Sequence, residues 1–155
     1  MLVQHCELDQ HRLILPTNIT KPLLTNGALV AGYSKQQYRA LIDTGAQRTV
    51  LSRSVIANEE LVRIGHMEFA GLHGPRTHTR YLASIGLWAT RVEGGATTHP
   101  NNPSELTLFQ LETPFEVVDM EDNQNFDLIL GFDVLKLFSF SFKHETKQFE
   151  ITLKP

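Results

Sequence analysis

Ala40-Leu-Ile-Asp43-Thr44-Gly45-Ala46-Gln-Arg-Thr-Val-Leu-Ser52 is the stretch that decides how this chain is read. Tyr38-Arg-Ala-Leu-Ile-Asp has the character of a buried strand, and it stops at Thr44-Gly45. An apolar strand therefore delivers one carboxylate, that of Asp43, into a turn. Gly45 permits a sharp backbone path that a side chain would block. Thr44 supplies a hydroxyl able to bond backbone or a partner loop. The small Ala46 leaves room beside the carboxylate.

The rest of the chain surrounds this turn with strands. The sequence has 155 residues, a formal net charge of −3, 41% hydrophobic residues and one cysteine. A chain of that length buries about two-thirds of its unfolded surface, enough for one core, and a single domain over residues 1–155 is expected. The composition is too apolar for a disordered chain. Cys6 alone makes no intramolecular disulfide and no Cys-rich zinc site. No Lys/Arg cluster marks a nucleic-acid surface, and no apolar run approaches the ~20 residues of a membrane-spanning helix. Acids in Met1-Leu-Val-Gln-His-Cys-Glu-Leu-Asp do not suit a signal peptide, so a reducing, cytoplasmic setting is expected.

Strands are expected at His11–Pro16, with Pro16 at an end or an edge. Others are expected over 106–111, 114–119, 126–131, 138–142 and 148–153. Asn26-Gly27 signals a tight turn between apolar runs. Ser52 to about Leu61 is a helix candidate with Ser52 or Ser54 as its cap, and Asp133-Val-Leu-Lys-Leu makes one or two further turns. Met67–Ala70 and Tyr81–Trp88 flank a Gly-rich centre, Gly71-Leu72-His73-Gly74-Pro-Arg-Thr-His78, expected as a hairpin with a broad tip. Glu93–Ser104 is a loop or insertion. Six of nine phenylalanines lie between Phe126 and Phe149, which places the heavy core at that end, and Phe138, Phe140 and Phe142 form a core stripe.

The Asp43-Thr44-Gly45-Ala46 turn resembles the active-site loop of the aspartic proteases, and the alanine points to the retropepsin-like branch. Phe126-Asp-Leu-Ile129-Leu130-Gly131-Phe-Asp-Val-Leu resembles the family's second landmark, two hydrophobic residues and a glycine before a short helix, which packs under the catalytic loop. Between the two landmarks the family places its substrate-covering flap, here Gly71, Leu72, His73 and Gly74. The resemblance runs from about Lys21 to Leu153. Viral members carry an arginine after the landmark glycine that braces their dimer; Phe132 stands here, as in cellular, bacterial and retroelement relatives. The implied fold is all-β: a closed retropepsin-like barrel with a flap hairpin and one or two short helices.

The resemblance implies an aspartic endopeptidase. Its chemistry needs two carboxyl groups and a water, and no metal or other cofactor. This chain has one such motif, so the implied enzyme is a homodimer acting on a peptide or protein substrate, with Asp43 from each subunit. Phe149–Leu153 is the expected dimer strand by analogy with the family. Each residue also has a plainer reading. Asp43 can simply end a strand in an Asx-turn, and Thr44 can be a solvated turn hydroxyl. His73 and His78 are expected as exposed flap residues rather than metal ligands, and His66, His99 and His144 as surface histidines. Asp133 is expected to cap the short helix and Asp127 to bond backbone or a surface partner. Trp88 is expected in the core. Two alternatives to the enzyme stand: a catalytically silent peptide-binding module on the same fold, and a β-barrel scaffold whose motifs are accidental.

Overall fold

The computed structural model describes residues 2–5, 7–9, 11–32, 34–71, 74–91 and 106–153. Along the chain run β1 (Leu2–His5), β2 (Glu7–Asp9), β3 (Arg12–Thr20), β4 (Leu23–Thr25), β5 (Ala28–Val30), β6 (Tyr38–Ile42), β7 (Val50–Ser52) and α1 (Arg53–Asn58). Then follow β8 (Val62–Gly71), β9 (Gly74–Arg91), β10 (Thr107–Gln110), β11 (Phe115–Met120), β12 (Leu128–Leu130), α2 (Phe132–Leu135), β13 (Phe138–Lys143) and β14 (Gln148–Leu153). The fold is all-β with two short helices, as the strand-and-turn patterning leads one to expect.

The strands pair into a ring. β9 bonds β11, β11 bonds β7, β7 bonds β12, β12 bonds β6, β6 bonds β3, and β3 returns to β9. Every member contributes to one buried cluster: Leu15 and Ile19 from β3, Ala40 from β6, Leu51 from β7, Ile85 from β9, Val117 from β11, and Leu128 and Leu130 from β12. β9 can serve so many neighbours because it is 18 residues long. Its first half pairs with β8 and its second with β10 and β3.

β12 matters most for function. It lies between β6 and β7, parallel to the first and antiparallel to the second, with Leu128 opposite both Ala40 and Leu51. β6 and β7 are therefore two strand spacings apart, about 9–10 Å. The residues between them cannot close a tight hairpin and must bridge that gap as an open loop, which carries Asp43.

Several expectations change. Pro16 lies inside β3, which runs on to Thr20. It is tolerated because pairing to β2 ends at Ile14 and pairing to β9 begins at Thr17, so that edge of the strand is open at residue 16. The buried Gln4 amide donates to the Pro16 carbonyl at 3.1 Å and to the Trp88 carbonyl at 2.8 Å. The hairpin tip is not broad, since the β8–β9 ladder runs to Gly71 opposite Gly74. Leu72, His73, Cys6 and the 93–104 insertion, His99 with it, lie outside the described residues.

The core is aliphatic and spread along the chain rather than gathered at the C-terminal phenylalanines. Phe138 and Phe149 are buried, but Phe132 is 52% exposed and Phe140 38%. The Phe138/Phe140/Phe142 row stands on β13, which among the described residues pairs with β14 alone. Ser52 occupies the α1 cap position, yet its hydroxyl meets that of Ser54; Asp122 instead accepts the Ser54 N–H at 2.9 Å. Asn26 and Gly27 have φ of 50° and 77°, the left-handed pair that a two-residue hairpin turn requires.

Candidate active site

The loop from Asp43 to Thr49 is held from below by the segment that follows β12. The Asp43 N–H donates to the Leu130 carbonyl at 3.2 Å, and the Phe132 N–H donates to the Ala46 carbonyl at 2.7 Å. Between these two bonds Gly131 donates its N–H to the Thr49 hydroxyl at 3.1 Å. It lies so close to the Arg48–Thr49 peptide that a Cβ would meet the Thr49 nitrogen at 2.9 Å. Ile129, Leu130 and Gly131 thus sit against the loop, and Leu130 is fully buried.

Thr49 completes the bracing. Its hydroxyl donates to Asp133 at 2.8 Å and its N–H donates to the same carboxylate at 3.1 Å. Asp133 also accepts the Val134 N–H at 3.0 Å. It stands in the first turn of α2, whose cap position is Gly131. So Asp133 ties the loop to the helix rather than capping it. Asp127 accepts the Arg39 N–H at 2.7 Å and steadies the start of β6.

The top of the loop is turned outward. Asp43 is half-buried, Thr44 and Gly45 are exposed, and Ala46 is half-buried. One Asp43 oxygen accepts the Gly45 N–H at 2.9 Å. A side chain on Gly45 would lie 3.2 Å from that oxygen, so the demand for glycine here is one of space. The Ala46 N–H donates to the Asp43 carbonyl at 3.2 Å and closes the turn.

A cleft of about 780 Å³ opens between this loop and the β8–β9 hairpin. Gly45, Ala46 and Arg48 line it from the loop, and Met67, Ala70 and His78 from the hairpin. Gly71 and Gly74 end the hairpin ladder, and Gly74 has φ of 91°, where glycine is favoured.

His78 is not a free-standing flap residue. Its ring nitrogen Nδ1 lies 2.9 Å from the Asp119 carbonyl oxygen and 3.5 Å from the Asp119 carboxylate. Asp119 escaped the sequence reading. It is 8% exposed, accepts the Thr79 N–H at 2.9 Å and accepts from Arg53 at 3.2 Å. Burial alone would raise its pKa. The Thr79 hydrogen bond, the Arg53 hydrogen bond and the charges of Arg53 and His78 outweigh burial and hold the carboxyl below its ordinary value. The available signal was an acid directly after the apolar run Val117-Val118. Its partners come from two other elements, β9 and α1. Tyr38, also buried, donates to Glu59 at 2.5 Å, and burial followed by that acid pushes its phenol upward.

His66 and His144 are exposed, His66 touching Arg63 and His144 edge-on to Phe142. Trp88 is half-buried. Among the described residues, no three His, Cys, Asp or Glu side chains gather as a metal site. Nor is any helix of these residues long and apolar enough to cross a membrane.

No protein-family profile matches the chain, and no curated protein matches it. Among solved structures it is similar to the retroviral protease-like domain of Ddi1 from Leishmania major, with 16% identity, a TM-score of 0.43, and coverage of 93% of this chain and 94% of that one. It is also similar to a retropepsin-like aspartic protease from Rickettsia conorii, with 8% identity, a TM-score of 0.46, and coverage of 96% of this chain and 86% of that one.

Proposed function

We propose that this single-domain chain is one half of a homodimeric aspartic endopeptidase, with Asp43 of each copy meeting the other across a two-fold axis. The observation that carries this reading is the bracing of the Asp43 loop. Its backbone is bonded at Asp43 and Ala46 to the residues flanking Gly131, while Thr44 and Gly45 at its top are exposed and Gly45 and Ala46 line a cleft. A loop that merely ended a strand would need no such support. One carboxylate held half-exposed on a rigid base is the arrangement a shared site requires.

Two carboxyl groups brought close do not both ionise, because the second charge is repelled by the first. The pair therefore holds one proton. The ionised Asp43 takes a proton from a water, and that water attacks the peptide carbonyl. The partner subunit's Asp43 gives its proton to the carbonyl oxygen; as the C–N bond breaks, the first Asp43 passes the proton it took from water to the departing amine, and the partner's Asp43 regains one from the collapsing diol. The pKa values of such a pair belong to both groups together. Substrate lies extended between loop and hairpin, its backbone bonding as an added strand and its side chains filling the cleft. A single cysteine fits a reducing, cytoplasmic setting.

The test is cleavage of a pool of denatured proteins at pH values from about 4 to about 7. Asp43→Asn should abolish cleavage while the protein stays folded and self-associated. Full activity in the Asn variant would overturn the assignment. Peptide binding without turnover by the unaltered protein would favour the silent binding module.

A further inference from the structure

A shared site needs a contact between copies, and the last strand does not provide it. β14 is paired on both edges: over Gln148–Ile151 it bonds β1 on one side and β13 on the other. The family analogy that pointed to Phe149–Leu153 therefore fails for this chain. A second copy cannot add to a strand whose backbone groups are already spent.

The neighbouring strand is different. Among the described residues β13 pairs with β14 alone, so its outer edge stands open. It lacks the usual guards of an open edge. There is no proline and no bulge in it, and its one charge, Lys143, lies at the far end and is held by Glu150 at 2.6 Å. Its first five residues, Phe138-Ser139-Phe140-Ser141-Phe142, read the same in both directions.

We propose that two copies of this chain join edge to edge through β13, antiparallel, with the two-fold axis at Phe140. A two-fold antiparallel pairing sets each position opposite its mirror position. On a palindromic strand that places like against like: Phe138 faces the partner's Phe142, Ser139 faces the partner's Ser141, and Phe140 faces the partner's Phe140. No charge opposes a like charge. The aromatic face, where Phe140 stacks on Phe149 at 5.3 Å and meets Phe138 edge-on at 6.3 Å, becomes a continuous row across the axis. Phe140, 38% exposed in one copy, is covered by its counterpart. The strand leads directly from α2, and the first residue of that helix, Phe132, is bonded to the Asp43 loop through Ala46. Phe132 and Leu137, which precede β13, are also exposed apolar side chains, at 52% and 41%. The functional consequence rests on the shared-site reading; the contact itself rests on β13.

Cross-linking tests it directly. Residues opposite each other in an antiparallel pair have Cα atoms about 4.5–5.5 Å apart, within reach of a disulfide. In a Cys6→Ser background, Phe140→Cys should form a covalent dimer under mild oxidation. Ser139→Cys alone should not, because residue 139 faces 141 of the other copy. A mixture of Ser139→Cys and Ser141→Cys proteins should cross-link. Phe140→Lys, which sets two ammonium groups face to face, should weaken self-association measured by sedimentation by at least about tenfold. A dimer that survives Phe140→Lys and gives no 140–140 disulfide would overturn the proposal, as would a protein that stays monomeric at every concentration. If that dimer still cleaves peptides, only the contact is wrong. If 140–140 cross-linking succeeds and no peptide is cut, the contact stands and the protease reading fails.

Discussion

Gly131 lies against Arg48 with no room between them: a Cβ at residue 131 would come within 2.4 Å of the Arg48 carbonyl carbon and 2.5 Å of its oxygen. The obstacle is backbone on both sides, pinned by the bonds at Asp43, Ala46 and Thr49, so it cannot swing away as a side-chain tip would. The landmark glycine is thus the depth gauge of the site, setting how closely β12 and α2 support the carboxylate loop.

Gly131→Ala should therefore cost at least the about 1–3 kcal/mol typical of overpacking a tight site. For a domain of this size that lowers Tm by about 2–4 °C for each kcal/mol lost. Peptide cleavage should fall further than stability does, because the loop that carries Asp43 must move to admit the methyl group. Calorimetry beside a cleavage assay checks this. Wild-type stability and activity in the Ala variant would show that the loop yields freely.

Thr49 joins the two halves of the brace, accepting from Gly131 and donating to Asp133 through one buried hydroxyl. Thr49→Val keeps the shape and removes both bonds, leaving the Gly131 N–H without an acceptor and the Asp133 carboxylate with only the N–H groups of Thr49 and Val134. The expected loss is about 1–3 kcal/mol. Combined with Asp133→Asn, the double variant should lose less than the sum of the two singles, with a coupling of about 0.5–3 kcal/mol. Denaturant midpoints for the four proteins of the cycle measure it. Strict additivity would mean that Thr49 and Asp133 act independently.

Asp119 carries a pH signature. Its carboxyl titrates below the ordinary value of 3.8 in the folded chain, burial being outweighed by Thr79, Arg53 and His78. The folded state therefore holds its proton less tightly than the unfolded state does. The stabilisation it supplies is complete above the unfolded pKa, about 4, and is lost as pH falls through the lower folded value. Asp119→Asn should flatten that part of the acid unfolding curve. The stability gap between wild type and variant should be constant at neutral pH and narrow only below about pH 4. Arg53→Ala should shift the same limb of the curve toward higher pH. Urea midpoints taken down the acid range decide it, and a gap that narrows near neutrality would point to a different group.

Much of the site could be read locally. The apolar run ending at Asp43, the crowded Gly45 and the Ile129-Leu130-Gly131 run each announce themselves through near neighbours, and so does the Asn26-Gly27 turn. What could not be read depended on distant partners. Pro16 could be read only as a strand end or an edge, because the gap between β2 and β9 that makes it an edge position is set by distant strands. Ser52 does hold the α1 cap position, but that its hydroxyl makes no capping bond could not be read, because the Ser54 N–H finds its acceptor in Asp122, far along the chain. Asp119 was overlooked because a lone acid after two valines has no meaning until Thr79, His78 and Arg53 are placed around it.

By itself the sequence determined which residues are rigid, small, apolar or charged, and hence where a carboxylate could be delivered into a turn. Strand periodicity and glycine placement act over a few residues, so they survive without the fold. Only the tertiary structure decided that β12 enters between β6 and β7, which forces the Asp43 loop open and puts Gly131 beneath it. Only it decided that, among the described residues, β14 pairs on both edges over Gln148–Ile151 while β13 pairs on one. Strand neighbours are chosen by backbone hydrogen bonds, which are the same for every residue, so the order of strands is written in the packing of the whole core and not in any one segment.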